Sequence, residues 1–214
     1  MNYNRITKTH IEKFESKPTR KAVTGFVCKD DLSDKGLLDT YDPPFTTTST
    51  KWKNWITMLD PKTCIACLLK HGEIYDYILG ETDEVPPLHD RCRCRLEELK
   101  AILAGMATKN GADGADYWLK NFAVLPEYYI TKTDIAISGW RWGKSPVKYA
   151  PGKMIGGDIY FNKDGHLPSA PGRIWYECDI NYYSGKRNGH RILYSNDGLI
   201  FATYNHYRTF YEII

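Results

Sequence analysis

No apolar run in the 214 residues approaches the roughly 20 needed to cross a bilayer, so a helical membrane span is not expected. Met1 to Lys21 lacks the apolar core of a signal peptide. The chain as it stands is therefore expected to be soluble, and any export to use a route encoded elsewhere. Charge of one sign is also missing: 29 Lys and Arg stand against 26 Asp and Glu, a net charge of +3. Net charge thus does not announce a polyanion partner, and such a partner would need cations concentrated locally, as Lys186, Arg187 and Arg191 are. There is no internal repeat. What is present is 42% hydrophobic and 14% aromatic residues, the composition of a globular chain of one or two domains that can bury a sizeable core.

Composition divides the chain. Residues 1–50 are polar, with Pro43-Pro44 and a Thr/Ser run at 46–50, and are expected to be loose or extended. Residues 51–107 form a Cys/His-rich unit whose last stretch, Leu96 to Met106, has helical composition. The glycine-containing stretch 108–114 reads as a linker to residues 115–214. In that last part, Tyr117, Trp118, Phe122 and Leu125 recur near helical spacing before Pro126, and a second helix follows, capped by Thr131 and stopped at Gly139. After Pro151-Gly152 strands are expected at 159–161, 173–180, 191–195, 199–204 and 207–213, with a hairpin turn at Asn196-Asp197-Gly198. Helices first and an antiparallel sheet second give an α+β fold.

The strand 173–180 carries the first chemical signal. Alternation places Ile174, Tyr176, Cys178 and Ile180 on one face, packed on the helices, and Trp175, Glu177 and Asp179 on the other, expected to be open. A glutamate among arginines keeps its anionic form, which suits a general base, although a surface salt bridge has the same sequence. His206, expected at the turn before the last strand, titrates near neutrality and can serve as an acid, or can simply be solvated. Base, cations and acid together are the set that metal-independent cleavage of RNA needs.

The runs in which these residues lie are Leu125-Pro126, Tyr129 to Lys132, Ala150 to Lys153, Ile155 to Ile159, Gly172-Arg173 with Trp175 and Glu177, Asp179 to Tyr182, Ser184-Gly185, Arg187-Asn188, Arg191 to Ser195, and His206-Tyr207 with Thr209-Phe210. In this order the segment from about 115 to 213 resembles the barnase family of guanyl-preferring bacterial ribonucleases. The resemblance implies a microbial-ribonuclease fold and cleavage of single-stranded RNA through a 2′,3′-cyclic phosphate, without a metal or cofactor in catalysis. It places Glu177 on the family's general base and His206 on its general acid. Lys132, Arg187 and Arg191 fall on the phosphate-contacting cations, and Tyr207 on the aromatic beside the acid. Phe161, Asn162, Lys163 and Asp164 fall in the base-reading loop. Lys163 stands where an arginine is usual and Asp164 where a glutamate is usual, which bears on guanine preference because a lysine is a point charge and not a fork. Asp158 and Asp179 are expected to be structural partners of cations.

The upstream unit carries Cys64-x-x-Cys67-x-x-x-His71 and His89-x-x-Cys92-x-Cys94. Two such clusters fit one tetrahedral zinc, with Cys64 and Cys67 from the first and two of His89, Cys92 and Cys94 from the second; reduced thiols without metal and disulfides formed after export remain alternatives. Cys28 and Cys178 are solitary, and Cys178 is expected to be a small buried apolar side chain. The stretch from Trp55 to Leu96, with its Pro86-Pro-Leu-His-Asp-Arg-Cys-Arg-Cys94, resembles the end of phage minor head (head-morphogenesis) proteins, which implies a packaging, delivery or positioning role. Together the two resemblances imply a toxin, secreted or delivered to act in the cytoplasm of a target cell. Its partners would be RNA and a cognate acidic, barstar-like inhibitor or immunity protein, with no membrane partner. Two rivals are a phage-derived structural or RNA-binding protein with an inactive nuclease part, and a metal-dependent nuclease using the Cys/His cluster.

Overall fold

A computed structural model describes residues 46–76 and 85–214. Among the described residues, strands β1 (Thr47–Ile56), β2 (Ile74–Asp76), β3 (Arg95–Ile102), β4 (Tyr129–Ile130), β5 (Met154–Tyr160), β6 (Trp175–Asp179), β7 (Arg191–Ser195), β8 (Ile200–Thr203) and β9 (Tyr211–Ile213) build one sheet. Its order is β2-β1-β3-β9-β8-β7-β6-β5-β4. Helices α1 (Ile65–Lys70), α2 (Ala115–Phe122) and α3 (Lys132–Ile137) complete a mixed α+β fold with few helices on a large sheet, consistent with the fold class expected from the sequence. The polar segment before residue 46, and Cys28 with it, lies outside the described residues.

The meander β6-β7-β8-β9 follows the alternation in the sequence. Trp175 pairs with Ser195 and Asp179 with Arg191, and the next register sets Arg191 against Thr203 and Tyr194 against Ile200 across the Asn196-Asp197-Gly198 turn. The strand 207–213 is shorter than expected, because Asn205 caps a turn through 205–209 by accepting from the N–H groups of Arg208 and Thr209 at 3.2 and 3.0 Å.

Residues 96–106 are not a helix. Despite their Leu-Glu-Glu-Leu-Lys-Ala composition, residues 95–102 form β3, pairing antiparallel with β1 and parallel with β9. Leu99, Ala101 and Ile102 are fully buried there, and this tertiary pairing overrides a weak local propensity. The stretch read as a linker is likewise packed. Thr108 is buried with its hydroxyl donating to Asp116 at 3.1 Å, and the Lys109 N–H donates to Asn181 Oδ1 at 2.9 Å.

Both faces of the sheet are covered. On one, α2 sets Leu119 and Ala115 against Cys178, Ile180, Ile192 and Ala202, so Cys178 is the buried apolar side chain expected of it. On the other, Trp52, Ile74 and Leu99 from the upstream strands pack with Leu167, Trp175, Leu193, Phe201 and Phe210. Each such side chain contributes about 1.5–3 kcal/mol on burial. The face expected to be open is therefore covered at Trp175, Leu193 and Phe201, in part by the upstream residues Trp52, Ile74 and Leu99.

Candidate active site

A bulge in β5 aims the first acidic group. Gly156 stands opposite Cys178 and Asp158 opposite Glu177, leaving Gly157 unpaired at φ +91°. That backbone favours glycine. A side chain on Gly156 would meet Cys178 Cβ and the Tyr129 ring at 2.5 Å, so the close approach of β5 to β6 needs glycine as well.

Asp158 then receives the Lys132 N–H on both carboxylate oxygens at 3.1 Å. Lys132 is the first residue of α3, which Thr131 caps by accepting from the Asp134 N–H at 3.1 Å. Burial raises the Asp158 carboxyl above its ordinary value, against the charge of Lys132. The backbone anchor leaves the Lys132 ammonium to reach Glu177 Oε1 at 2.5 Å.

Glu177 is 8% exposed and held from two sides, because the Tyr207 hydroxyl donates to its Oε2 at 2.5 Å. Burial pushes the carboxyl up, but the hydrogen bonds from Lys132 and Tyr207 and the charges of Lys132 and Arg191 outweigh it, and it lies below the ordinary 4.5. It is thus a buried anion and not a member of a surface salt bridge.

Beneath it lies Asp179, 1% exposed, which receives Arg187 in a bidentate pair with both bonds at 2.6 Å and forms an ion pair with Arg191, whose Nε stands 3.0 Å away without hydrogen-bond alignment. Burial works against the Arg187 charge, yet the Asp179 bonds raise its pKa. The two arginines are therefore fixed cations at 11% and 5% side-chain exposure, not mobile surface groups. Two arginines balanced by a buried aspartate leave positive potential for an anion entering above them.

His206 is exposed at the tip of the β8–β9 connection, with φ +58°, and Tyr207 follows at φ +65°. Two consecutive non-glycine residues in this region cost on the order of 1–3 kcal/mol each, offset by the surrounding bonds. The His206 N–H donates to Gly189 O and the Tyr207 N–H to Thr203 Oγ1, each at 3.1 Å. Tyr207 also stacks on Tyr160, with centroids 5.3 Å apart and planes at 25°.

In the loop beyond Tyr160, the four expected substrate-contacting residues divide in role. Phe161 is 77% exposed, and Lys163 and Asp164 are exposed with it. Asn162 instead closes the loop, donating to Leu167 O at 2.8 Å and accepting from the Leu167 N–H at 3.1 Å. The sequence reading passed over Trp142. It is 75% exposed, with the Lys132 ammonium 5.9 Å and the Arg187 guanidinium 5.3 Å from its ring centroid. Nothing in the spacing of a loop tryptophan signals this, since Lys132 and Arg187 reach it from distant segments.

The Cys/His residues also meet. His89 Nε2 lies 3.2 Å from Cys64 Sγ and 3.1 Å from Cys67 Sγ, Cys92 Sγ lies 3.6 Å from Cys67 Sγ, and Cys67, Cys92 and Cys94 form a second close triad. His71 stands apart as a structural acceptor, its Nδ1 taking the Thr57 N–H at 3.1 Å. The donor set of soft sulfurs and one imidazole fits zinc.

The ribonuclease family model matches residues 120–214. A ribonuclease of Bacillus pumilus is 41% identical over 150 residues, covering 70% of this chain and 91% of its own length. A ribonuclease of Bacillus intermedius is 48% identical over 117 residues, 54% of this chain and 72% of that one. For a ribonuclease of Heyndrickxia coagulans the figures are 48% over 108 residues, 50% and 99%. Glu177, Arg187, Arg191 and His206 all lie within residues 120–214 that the family model matches, and the Cys/His cluster lies before residue 120.

Proposed function

The chain belongs to the ribonuclease family and is an endoribonuclease, and from that premise we propose that it cleaves single-stranded RNA by metal-independent acid/base transesterification with a preference for guanosine. The observation that carries this reading is the buried Glu177 carboxylate, held anionic by Lys132 and Tyr207 above the Arg187–Asp179–Arg191 triad. Glu177 takes the proton of the ribose 2′-hydroxyl as that oxygen attacks phosphorus. Lys132, Arg187 and Arg191 compensate the charge gathering on the phosphorane. The bond from phosphorus to the 5′-oxygen breaks, His206 supplies the proton to that oxygen, and a 2′,3′-cyclic phosphate remains. In the slower second step water attacks the cyclic ester with the two proton roles exchanged. Phe161 and Tyr207 offer aromatic surface for bases, and the 162–164 loop with Lys163 and Asp164 is the base-reading element.

The biological setting follows as part of the same reading: a toxin delivered to a target-cell cytoplasm and restrained in its producer by an acidic, barstar-like inhibitor. The region resembling phage minor head proteins would serve delivery or positioning. The Cys/His cluster is read as a structural zinc site using Cys64, Cys67 and two of His89, Cys92 and Cys94, taking no part in the chemistry. The test is cleavage of a guanosine-containing RNA dinucleotide at saturating concentration in excess chelator, by wild type, Glu177→Ala and His206→Ala. Expected is a kcat that survives chelation and falls in each variant by about 10²- to 10⁴-fold. A kcat abolished by chelation would move the chemistry to the Cys/His cluster, and no cleavage by folded protein would favour RNA binding alone.

A further inference from the structure

The Cys/His unit and the base-reading loop are far apart in sequence, yet a continuous set of contacts joins them. Thr57, just beyond β1, donates its hydroxyl to Cys67 O at 2.9 Å, and its hydroxyl oxygen lies 3.0 Å from Cys94 Sγ. Its own N–H is taken by His71 Nδ1 at 3.1 Å. Gly72 and Glu73, which follow His71, bond to Trp55 through Gly72 N to Trp55 O and Trp55 N to Glu73 O, both 2.9 Å. The next residue, Ile74, opens β2 opposite Asn54 of β1 and donates its N–H outward to His166 O at 2.8 Å.

Side chains repeat the connection. The His166 ring lies over the bare Cα of Gly72, so near that a Cβ there would stand 3.7 Å from it. Ile74 and Trp52 are buried in the same cluster as Leu167 and Trp175. Leu167 is the residue that Asn162 grips with two hydrogen bonds, and Asn162 holds a left-handed backbone at φ +45° beside exposed Phe161. At its other end the same loop begins at Tyr160, stacked on the Tyr207 that touches Glu177.

We propose that the Cys/His unit is a metal-loaded brace for the base-reading loop: zinc at the cluster fixes the 64–74 segment, and Ile74 in turn fixes residues 162–167 in their substrate-binding shape. This rests on the proposed zinc reading. The family match begins at residue 120, so the brace is built from residues outside the part the family model describes. Its effect falls mainly on binding, because the contacts enter the base-reading loop at His166 and Leu167 and reach Glu177 only at the far end of that loop, through Tyr160 and Tyr207, while Glu177, Lys132 and Arg187 are held by their own partners.

The test uses the full chain with one guanosine dinucleotide as substrate. Zinc content is measured by elemental analysis, and KM and kcat are compared for zinc-loaded protein, protein stripped by a chelator, the Cys64→Ser/Cys67→Ser variant, Ile74→Ala, and the combination. Expected is about one equivalent of zinc in wild type and Ile74→Ala and none in the cysteine variant. KM is expected to rise about tenfold on stripping and in each variant, with kcat within about twofold and the combined change no larger than either alone. Zinc-free protein with unchanged KM overturns the brace while leaving the metal site standing, and wild type that binds no zinc overturns the metal reading itself. Should stripping unfold the protein, zinc-loaded Ile74→Ala decides: a KM equal to wild type overturns the brace.

Discussion

The Tyr207 hydroxyl donates to Glu177 Oε2 at 2.5 Å, so the residue next to the candidate acid holds the candidate base. Acid and base are thereby coupled through one tight turn, in which His206 and Tyr207 both adopt left-handed backbone. Lys132 occupies the other carboxylate oxygen. An incoming 2′-hydroxyl meets a carboxylate with one bond already on each oxygen, so it must share an oxygen with Lys132 or Tyr207 or displace one of them.

The pH profile checks this arrangement. Because the folded Glu177 carboxyl lies below its ordinary 4.5, the base is ionised throughout the neutral range, and activity is lost on the acid side only as pH falls through that depressed value. The stability contributed by the depressed group follows the same sign, being present above the unfolded value and lost as pH falls. Tyr207→Phe removes one bond that favours the anion, so the acid limb of kcat/KM should move to higher pH. A limb that stays in place or moves down would show that the hydroxyl does not govern the base.

Asp179→Ala tests the arginine platform. Removing a 1% exposed carboxylate leaves Arg187 and Arg191 buried without their counter-ion. Loss of one partner of such a network costs about 3–5 kcal/mol. For a chain of this length that corresponds to roughly 10 °C in the melting temperature, read by circular dichroism. An unchanged melting temperature would mean that the arginines find other acceptors and that the triad is not structural.

How much of this could be read from the sequence depended on the distance over which each signal acts. The β6–β9 meander, the Asn196-Asp197-Gly198 turn and the Thr131 cap were legible because alternation and capping are local. Leu96 to Met106 misled because β3 owes its conformation to β1 and β9 and not to its own composition. The burial of Glu177 was invisible for the same reason: the alternation puts it correctly beside Trp175, but Lys132 and Tyr207, which close over it, come from distant segments of the chain. Within the site, Lys132 and Tyr207 do meet Glu177, and Arg187 and Arg191 meet Asp179, whereas the Asn162 clasp and the exposed Trp142 required the loops to be seen folded.

The segment read as a linker supplies a sharper check. Asp116, fully buried, accepts from the N–H groups of Gly105 and Ala107 on Oδ2 at 2.7 and 2.8 Å and from the Thr108 hydroxyl on Oδ1. Asparagine can keep all three contacts, its oxygen taking the two N–H groups and its amide donating to the Thr108 hydroxyl oxygen. Alanine leaves buried donors unsatisfied at about 1–3 kcal/mol each. Urea unfolding should therefore place Asp116→Asn near wild type and Asp116→Ala several kcal/mol lower. Equal losses in both would mean that the negative charge, and not the hydrogen-bond pattern, holds the stretch.

Trp142 is the remaining group that the sequence did not single out. An indole left 75% exposed forfeits apolar burial, and its position beside Lys132 and Arg187 gives that exposure a use. A base flanking the scissile phosphate can stack on the ring while the cations hold the phosphate, and such stacking contributes about 1–3 kcal/mol per base. A dinucleotide that ends before this position gains nothing from it. Trp142→Ala should then raise KM for a tetranucleotide by roughly 5- to 100-fold, leave KM for the dinucleotide nearly unchanged, and alter kcat for neither by more than about twofold. Equal effects on both substrates would mean that the indole acts by shielding Lys132 and Arg187 and not by reading a further nucleotide.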